Sequence, residues 1–263
     1  MFIDDLDYEN KKSKVYGVVT ALVTNNKDPE QMGRVKVTYP WLAEDDESYW
    51  ARIATMMAGN DRGSYFIPEV DDEVLVAFEH GDIHYPYIIG ALWNGQDKVH
   101  ENNDDGENNL RVIKSRSGHR IVFDDTADKE QVMIETHTGH KVILDDTSGS
   151  EKITIIDHTE DRKIVIDSKA KTIDIRNENG KINIFAGDDI NIETDKKLNI
   201  KTGSSTNIKA GSSLEAKASS SVTIKAGSSC SVEATSNMSV KGAMLTAEAS
   251  GQTSIKGAII NLN

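Results

Sequence analysis

Two histidine pairs are the first residues in this chain whose types and spacing suggest chemistry. His80 and His84 stand four apart, His137 and His140 three apart, and either spacing could offer two imidazoles to a metal. His80 and His84, however, straddle Gly81-Asp82, the composition of a hairpin turn, and no helix is available to align them. His137 and His140 flank Thr138-Gly139, and the Gly-His pair has already occurred at 118–119, which marks a repeated corner rather than a ligand set. The acid pairs Asp124-Asp125 and Asp145-Asp146 supply the residue type that glycoside hydrolysis needs, two facing carboxylates. Neighbours in a strand point to opposite faces, so neither pair converges on a substrate. Their return at a fixed interval assigns them to turns. The serine runs at 204–205, 212–213, 219–221 and 228–229 have no histidine in register to activate a nucleophile. Cys230 is the only cysteine, which excludes an intrachain disulfide and a thiolate cluster. No catalytic, metal or cofactor site is expected, and the chain is read as a non-enzyme.

The elements that would position such residues are strands. Residues 14–94 carry five short apolar-polar segments, at 15–23, 33–39, 49–55, 73–78 and 87–92, separated by turn formers such as Asn25-Asn26-Lys27-Asp28-Pro29. Five short strands without a credible helix predict a small closed barrel of OB type. Residues 1–13 form a separate N-terminal segment, and 95–110, rich in Asn, acids and Gly, read as a polar linker.

Beyond the linker the chain repeats itself. Gly118-His119-Arg120-Ile121-Val122-Phe123-Asp124-Asp125-Thr126 returns after 21 residues as Gly139-His140-Lys141-Val142-Ile143-Leu144-Asp145-Asp146-Thr147. Apolar pairs follow at Ile153/Ile155, Ile164/Ile166 and Ile173/Ile175, so 111–181 is a stretch of irregular β-repeats. From 182 to 263 the step locks to eight. Each octad reads apolar, polar, apolar, charged, small, then a Gly or Ser corner, with a lysine column at Lys201, Lys209, Lys217, Lys225 and Lys241. The inward places hold Ile182, Ile184, Ile190, Ile192, Leu198, Ile200, Ile208, Leu214, Val222, Ile224, Cys230, Val232, Met238 and Val240. Other inward residues, as small as Thr206, Ala216 and Ala234, cannot fill the cross-section of a single-chain solenoid. Three intertwined chains, each giving one strand per layer, resolve this. The expected fold is all-β: an OB-fold barrel followed by an intertwined trimeric β-helix needle, with Cys230 and Met238 pointing inward.

Net charge is −13, with acids spread along the chain, which argues against nucleic acid as a partner. No apolar run reaches the length of a membrane helix, and the N-terminus shows no basic region followed by an apolar stretch, so no signal peptide is expected.

Within residues 33–94 an ordered series of motifs stands out: Gly33-Arg34-Val35-Lys36-Val37 with Tyr39-Pro40-Trp41, then Ala58-Gly59-Asn60-Asp61-Arg62-Gly63. Pro68-Glu69-Val70-Asp71-Asp72-Glu73-Val74-Leu75-Val76-Ala77-Phe78 and Gly81-Asp82, Pro86, Ile88, Gly90 and Trp93-Asn94 complete it. This series resembles the OB domain of contractile-tail spike proteins: the VgrG family, the phage baseplate assembly protein V family and the tail spike of phage T4. The Phe123-Asp124-Asp125-Thr126 unit and the octads resemble the family's needle. The resemblance implies the central spike of a phage tail, type VI secretion system or related particle. It would be assembled in the bacterial cytoplasm or particle and expelled towards a target cell. The implied partners are a hub or baseplate protein below the OB domain, a PAAR-repeat protein on the tip, effector cargo and, in passing, the target membrane. Ile259, Ile260 and Leu262 are the candidate tip residues. The alternative is a trimeric β-helical fibre or adhesin that binds a cell-surface glycan.

Overall fold

A computed structural model describes residues 14–42 and 46–261 of the 263-residue chain. The N-terminal segment 1–13 and the tip candidate Leu262 lie outside the described residues. The chain divides into two compact units, Met1–Ala186 and Gly187–Asn263.

The first unit opens with the barrel. Its strands are β1 (Val19–Asn25), β2 (Lys36–Thr38), β3 (Arg52–Ile53), β4 (Ala58–Gly59), β5 (Arg62–Gly63), β6 (Glu73–Phe78) and β7 (Pro86–Ala91). Five of them form one sheet in the order β2-β1-β6-β7-β3. Residues 47–53 touch both of its edges. Ala51 and Val35 exchange backbone hydrogen bonds on the β2 side, while Arg52 and Ile53 pair with Tyr87 and Ile88 in parallel on the β7 side. That segment closes the sheet into the expected barrel. Strict alternation in β6 turns Val74, Val76 and Phe78 inward, where they meet Ala21, Val23, Val35, Val37, Tyr39, Ala51 and Ile88. The core is built mainly from β-branched side chains, which suit a pleated surface.

The loop between β1 and β2 is fastened by Asp28. Its carboxylate accepts the N–H groups of Glu30 and Met32 at 3.0 and 2.9 Å and a two-pronged contact from Arg34 at 2.8 and 2.9 Å. The Arg34 guanidinium, with those backbone donors, holds the Asp28 carboxyl far below the ordinary carboxylate range. A depressed carboxyl pKa stabilises the fold above the unfolded-state value and ceases to as pH falls through the folded one. Asp28→Asn is therefore expected to lower the melting temperature at pH 7, with the gap to wild type narrowing through the acid range below pH 4. A gap that stays constant with pH in calorimetry would contradict this.

The tight hairpin β4–β5 depends on one glycine. Gly63 has φ +152°, and a Cβ there would lie 2.5 Å from the Met57 carbonyl oxygen.

The same unit continues as a meander of seven strands: β8 (Leu110–Lys114), β9 (Arg120–Asp124), β10 (Gln131–Glu135), β11 (Lys141–Asp145), β12 (Lys152–Ile156), β13 (Arg162–Asp167) and β14 (Thr172–Asn177). Each pairs antiparallel with its sequence neighbour. Interlacing of one strand per chain per layer therefore does not extend to residues 110–177. The 21-residue repeat holds two strands and two tight turns, so the chain reverses on itself and satisfies its ladder internally.

The second unit is built differently. Its backbone bends at 187–188, 195–196, 203–204, 211–212, 219–220, 227–228 and 235–236, a period of eight. Among the described residues no strand there pairs with another strand of the same chain. Extended segments with unpaired N–H and C=O groups call for partners from outside the chain.

Candidate assembly surface

The histidines have other partners. His84 is held by Asp82, its N–H and Nδ1 lying 3.0 and 2.7 Å from the same carboxylate oxygen. His137 and His140 do not pair with each other. The N–H of His137 donates to Nδ1 of His119 at 3.3 Å, and that of His158 to Nδ1 of His140 at 3.2 Å. The rings meet edge to face at 5.5 and 4.9 Å. The Nδ1 lone pairs of His119 and His140 are thereby spent on backbone N–H groups. Both rings are corner caps, made possible by the positive φ of Gly118 and Gly139, +92° and +96°. The sequence carries a signal for this: His158 follows His137 by the repeat's own 21 residues.

The acid pairs are turns as well. Asp124 accepts the Thr126 N–H at 3.0 Å and Asp145 the Thr147 N–H at 3.0 Å. The Thr126 and Thr147 hydroxyls hold both carboxyls below their usual range, which unsuits them as proton donors at neutral pH. Asp125 turns away to Arg111 at 2.5 Å.

What the meander does present is a surface. Its strand register lines up two rows on one face: Phe123, Val132, Leu144, Ile153, Ile166 and Ile173 beside Ile113, Ile121, Ile134, Val142, Ile155, Ile164 and Ile175. Only Arg111, at the end of the first row, is polar. The opposite face carries a central row of Val112, Val122, Met133, Ile143, Thr154 and Val165, with Val122 buried, flanked by ion pairs such as Arg120–Glu135 at 2.7 Å and Lys141–Glu135 at 3.5 Å. None of the side chains in the two-row face is buried within the chain, and Ile173 and Ile175 are 71% and 62% exposed. A continuous apolar face of this size is not left to water in a soluble protein.

The octad candidates show the same unfinished state. All fourteen, from Ile182 to Val240 and including Cys230, are exposed in the single chain. The eight-residue period also changes near its end. After 235–236 the next bends come at 243 and at 250–251, so two steps take fifteen residues rather than sixteen. Uninterrupted octads would place Glu248 and Lys256 on the inward column. The one-residue slip instead continues it with Leu245/Ala247 and Thr253/Ile255, and keeps both charges outside. Of the tip candidates, Ile260 is 48% exposed and Ile259 81% in the single chain.

Beyond the geometry, comparison with known proteins finds one matching family. Residues 19–93 match the type VI secretion system/phage-baseplate injector OB domain. The type VI secretion system spike protein VgrG5 of Pseudomonas aeruginosa is 36% identical over 99 residues, covering 35% of this chain and 12% of that protein. Spike protein VgrG4b of the same organism is 33% identical over 139 residues, 44% of this chain and 17% of the relative. A protein of Vibrio cholerae named actin cross-linking toxin VgrG1 is 27% identical over 133 residues, 46% of this chain and 12% of its own length. The chain thus spans under a fifth of the length of each of these curated relatives.

Proposed function

We propose that the chain, whose residues 19–93 match the type VI secretion system/phage-baseplate injector OB domain and which is similar to VgrG spike proteins, is the structural central spike of a contractile injection machine and works as a homotrimeric needle. The observation that carries this reading is the pairing of an exposed two-row apolar face on residues 110–177 with octads that have no strand partners in their own chain. Three copies answer both demands. They bury the apolar rows against each other, and they supply each octad strand with backbone partners. A core of this kind transmits compression, since no octad strand leaves without breaking pairings to neighbouring chains. In this reading a hub or baseplate protein sits below the barrel, a PAAR-repeat protein caps the far end, and effector cargo travels with the assembly. The chain itself acts without catalysis. The toxin name in the Vibrio relative describes a protein of which this chain matches 12%. Among the described residues no helix is long and apolar enough to cross a membrane.

Light scattering on the purified chain tests the proposal. The expected mass is three times the 28.9 kDa of one chain, at micromolar concentration, with the band resisting SDS at room temperature. A monomer at that concentration would sink the needle.

A further inference from the structure

The meander sorts charge by edge as well as apolarity by face. Turns at 115–119 and 136–140 form one edge of strands β8 to β12, and turns at 125–130 and 146–151 form the other. The first edge comprises 113–121, 134–142 and 155–156. It carries four cations, Lys114, Arg116, Arg120 and Lys141, and one carboxylate, Glu135. The second comprises 110–111, 123–132 and 144–153, with seven carboxylates and three cations. Formal charge is therefore +3 on one edge and −4 on the other.

The chain pairs these charges with one another only in part. Glu135 serves both Arg120 and Lys141, and Glu101 lies 3.8 Å from Arg120. Arg116 reaches Glu69 of the barrel at 2.9 Å, and Arg111 meets Asp125 within the acidic edge. Among the described residues Lys114, Asp128, Glu130 and Asp146 are exposed and make no ion pair.

Three copies that bury their apolar rows against one another stand around a threefold axis. Rotation about that axis sets opposite edges side by side at every corner and never brings two like edges together. It also keeps each residue at its own level. Lys114 and Arg120, on β8 and β9, then face the neighbour's turn 125–130, and Lys141, on β11, faces the neighbour's Asp146. Both edges end in turns, so no backbone ladder spans a corner and side chains must close it. An inverted copy would set cations against cations and carboxylates against carboxylates, an arrangement this sorting disfavours.

From this sorting we propose that the two edges of residues 110–156 form a cyclic interface, in which the basic edge of one copy meets the acidic edge of the next. The partner is a second copy of this chain in parallel orientation. The contact fixes that orientation before the octads interlace. This interface rests on the trimeric reading and adds to it what selects the direction of the chains. A single exposed pair contributes little, but here the contact recurs at three corners and acts on the choice among arrangements.

The test co-expresses two full-length forms with tags of different mass and reads trimer composition by native mass spectrometry. Lys114→Glu/Lys141→Glu reverses the basic edge of the first form, and Glu130→Lys/Asp146→Lys removes the net charge of the acidic edge in the second. Neither form alone has a native corner. Every mixed trimer has one, where the second form's basic edge meets the first form's acidic edge. Random mixing leaves roughly a quarter of the trimers homotypic. At low salt the homotypic share is expected to be on the order of tenfold smaller, a preference that a few exposed contacts supply together. It should return towards the random value as salt screens the edges. A random share at low salt overturns the edge interface while leaving the trimer intact. So does a form that enters no trimer even when mixed, since a native corner then fails to rescue it. A monomeric mass for wild type in light scattering would instead bring down the trimeric reading itself.

Discussion

A chain carrying Ile155→Asp and Ile164→Asp is expected to lose the trimer and to elute as a monomer, or as a monomer with aggregate. Ile155 and Ile164 are direct cross-strand partners between β12 and β13, in the middle of the second apolar row. They are 48% and 38% exposed in the single chain, so a carboxylate at either place is tolerated there. In the assembly the same change brings six carboxylates into a water-excluded interface with no basic group opposite them. Each carries a desolvation cost on the order of several kcal/mol even after relaxation, and the six also repel one another. The loss of two isoleucine contacts per chain adds roughly 1.5–3 kcal/mol for each fully covered side chain. Together these exceed what a noncovalent interface can absorb. Thr154→Asp is the control, because Thr154 pairs with Val165 on the opposite face of the same two strands. That variant should remain trimeric. A trimeric mass for the Ile155/Ile164 variant would show that the apolar face meets something other than its own copies.

How much of this is legible in the sequence differs by element, for physical reasons. The strand expected at 73–78 is β6 residue for residue, because its alternation is unbroken and both ends are fixed by polar turns. The first strand, expected at 15–23, forms at Val19–Asn25 instead. Val15 spends its N–H on the Gly81 carbonyl, 2.8 Å away, so the chain there is extended but outside the ladder. The segment expected at 33–39 shortens to Lys36–Thr38 because Arg34 is held by Asp28 in the preceding loop. The β4–β5 hairpin escapes a reading by pattern, since Ala58-Gly59-Asn60-Asp61-Arg62-Gly63 has no alternation to detect. In the repeats the sequence marks which residues share a face, and the observed register agrees with it from Ile153/Ile155 to Ile173/Ile175. It does not mark whose strand lies alongside. Alternation is the same whether a strand pairs with its own chain or with another, so pattern alone does not separate the in-chain meander from an interlaced layer. The candidate surface is half visible. The octad column can be read as far as Val240, but the slip beyond it is carried by Ala247 and Thr253, residues too small and too polar to announce an inward place.

Cys230 gives the sharpest test of the register, because the single chain and the assembly make opposite demands of it. In the single chain its thiol is exposed, and Ser228-Ser229-Cys230-Ser231 has the composition of a surface loop. The octads place Cys230 in the column of Ile182, Ile190, Leu198, Leu214 and Val222, eight residues from its neighbours and ahead of the slip that follows Met238. A strand that alternates leaves no choice of face once that column turns inward. Three thiols then lie near the needle axis, out of reach of a water-borne reagent until the assembly opens. The expected result is labelling at least about a hundredfold slower in the native protein than after denaturation, since only rare opening events expose the site. The control removes the native thiol and introduces one a single residue away. Ser231→Cys in a Cys230→Ser background lies on the outward face of the same strand, and is expected to label fast while the protein remains native. Size and chemistry are nearly unchanged between the two proteins, so a difference in rate reports which way the strand faces. Equal, rapid labelling of both would mean that the column from Ile182 to Met238 does not close around an axis, whatever the mass of the assembly.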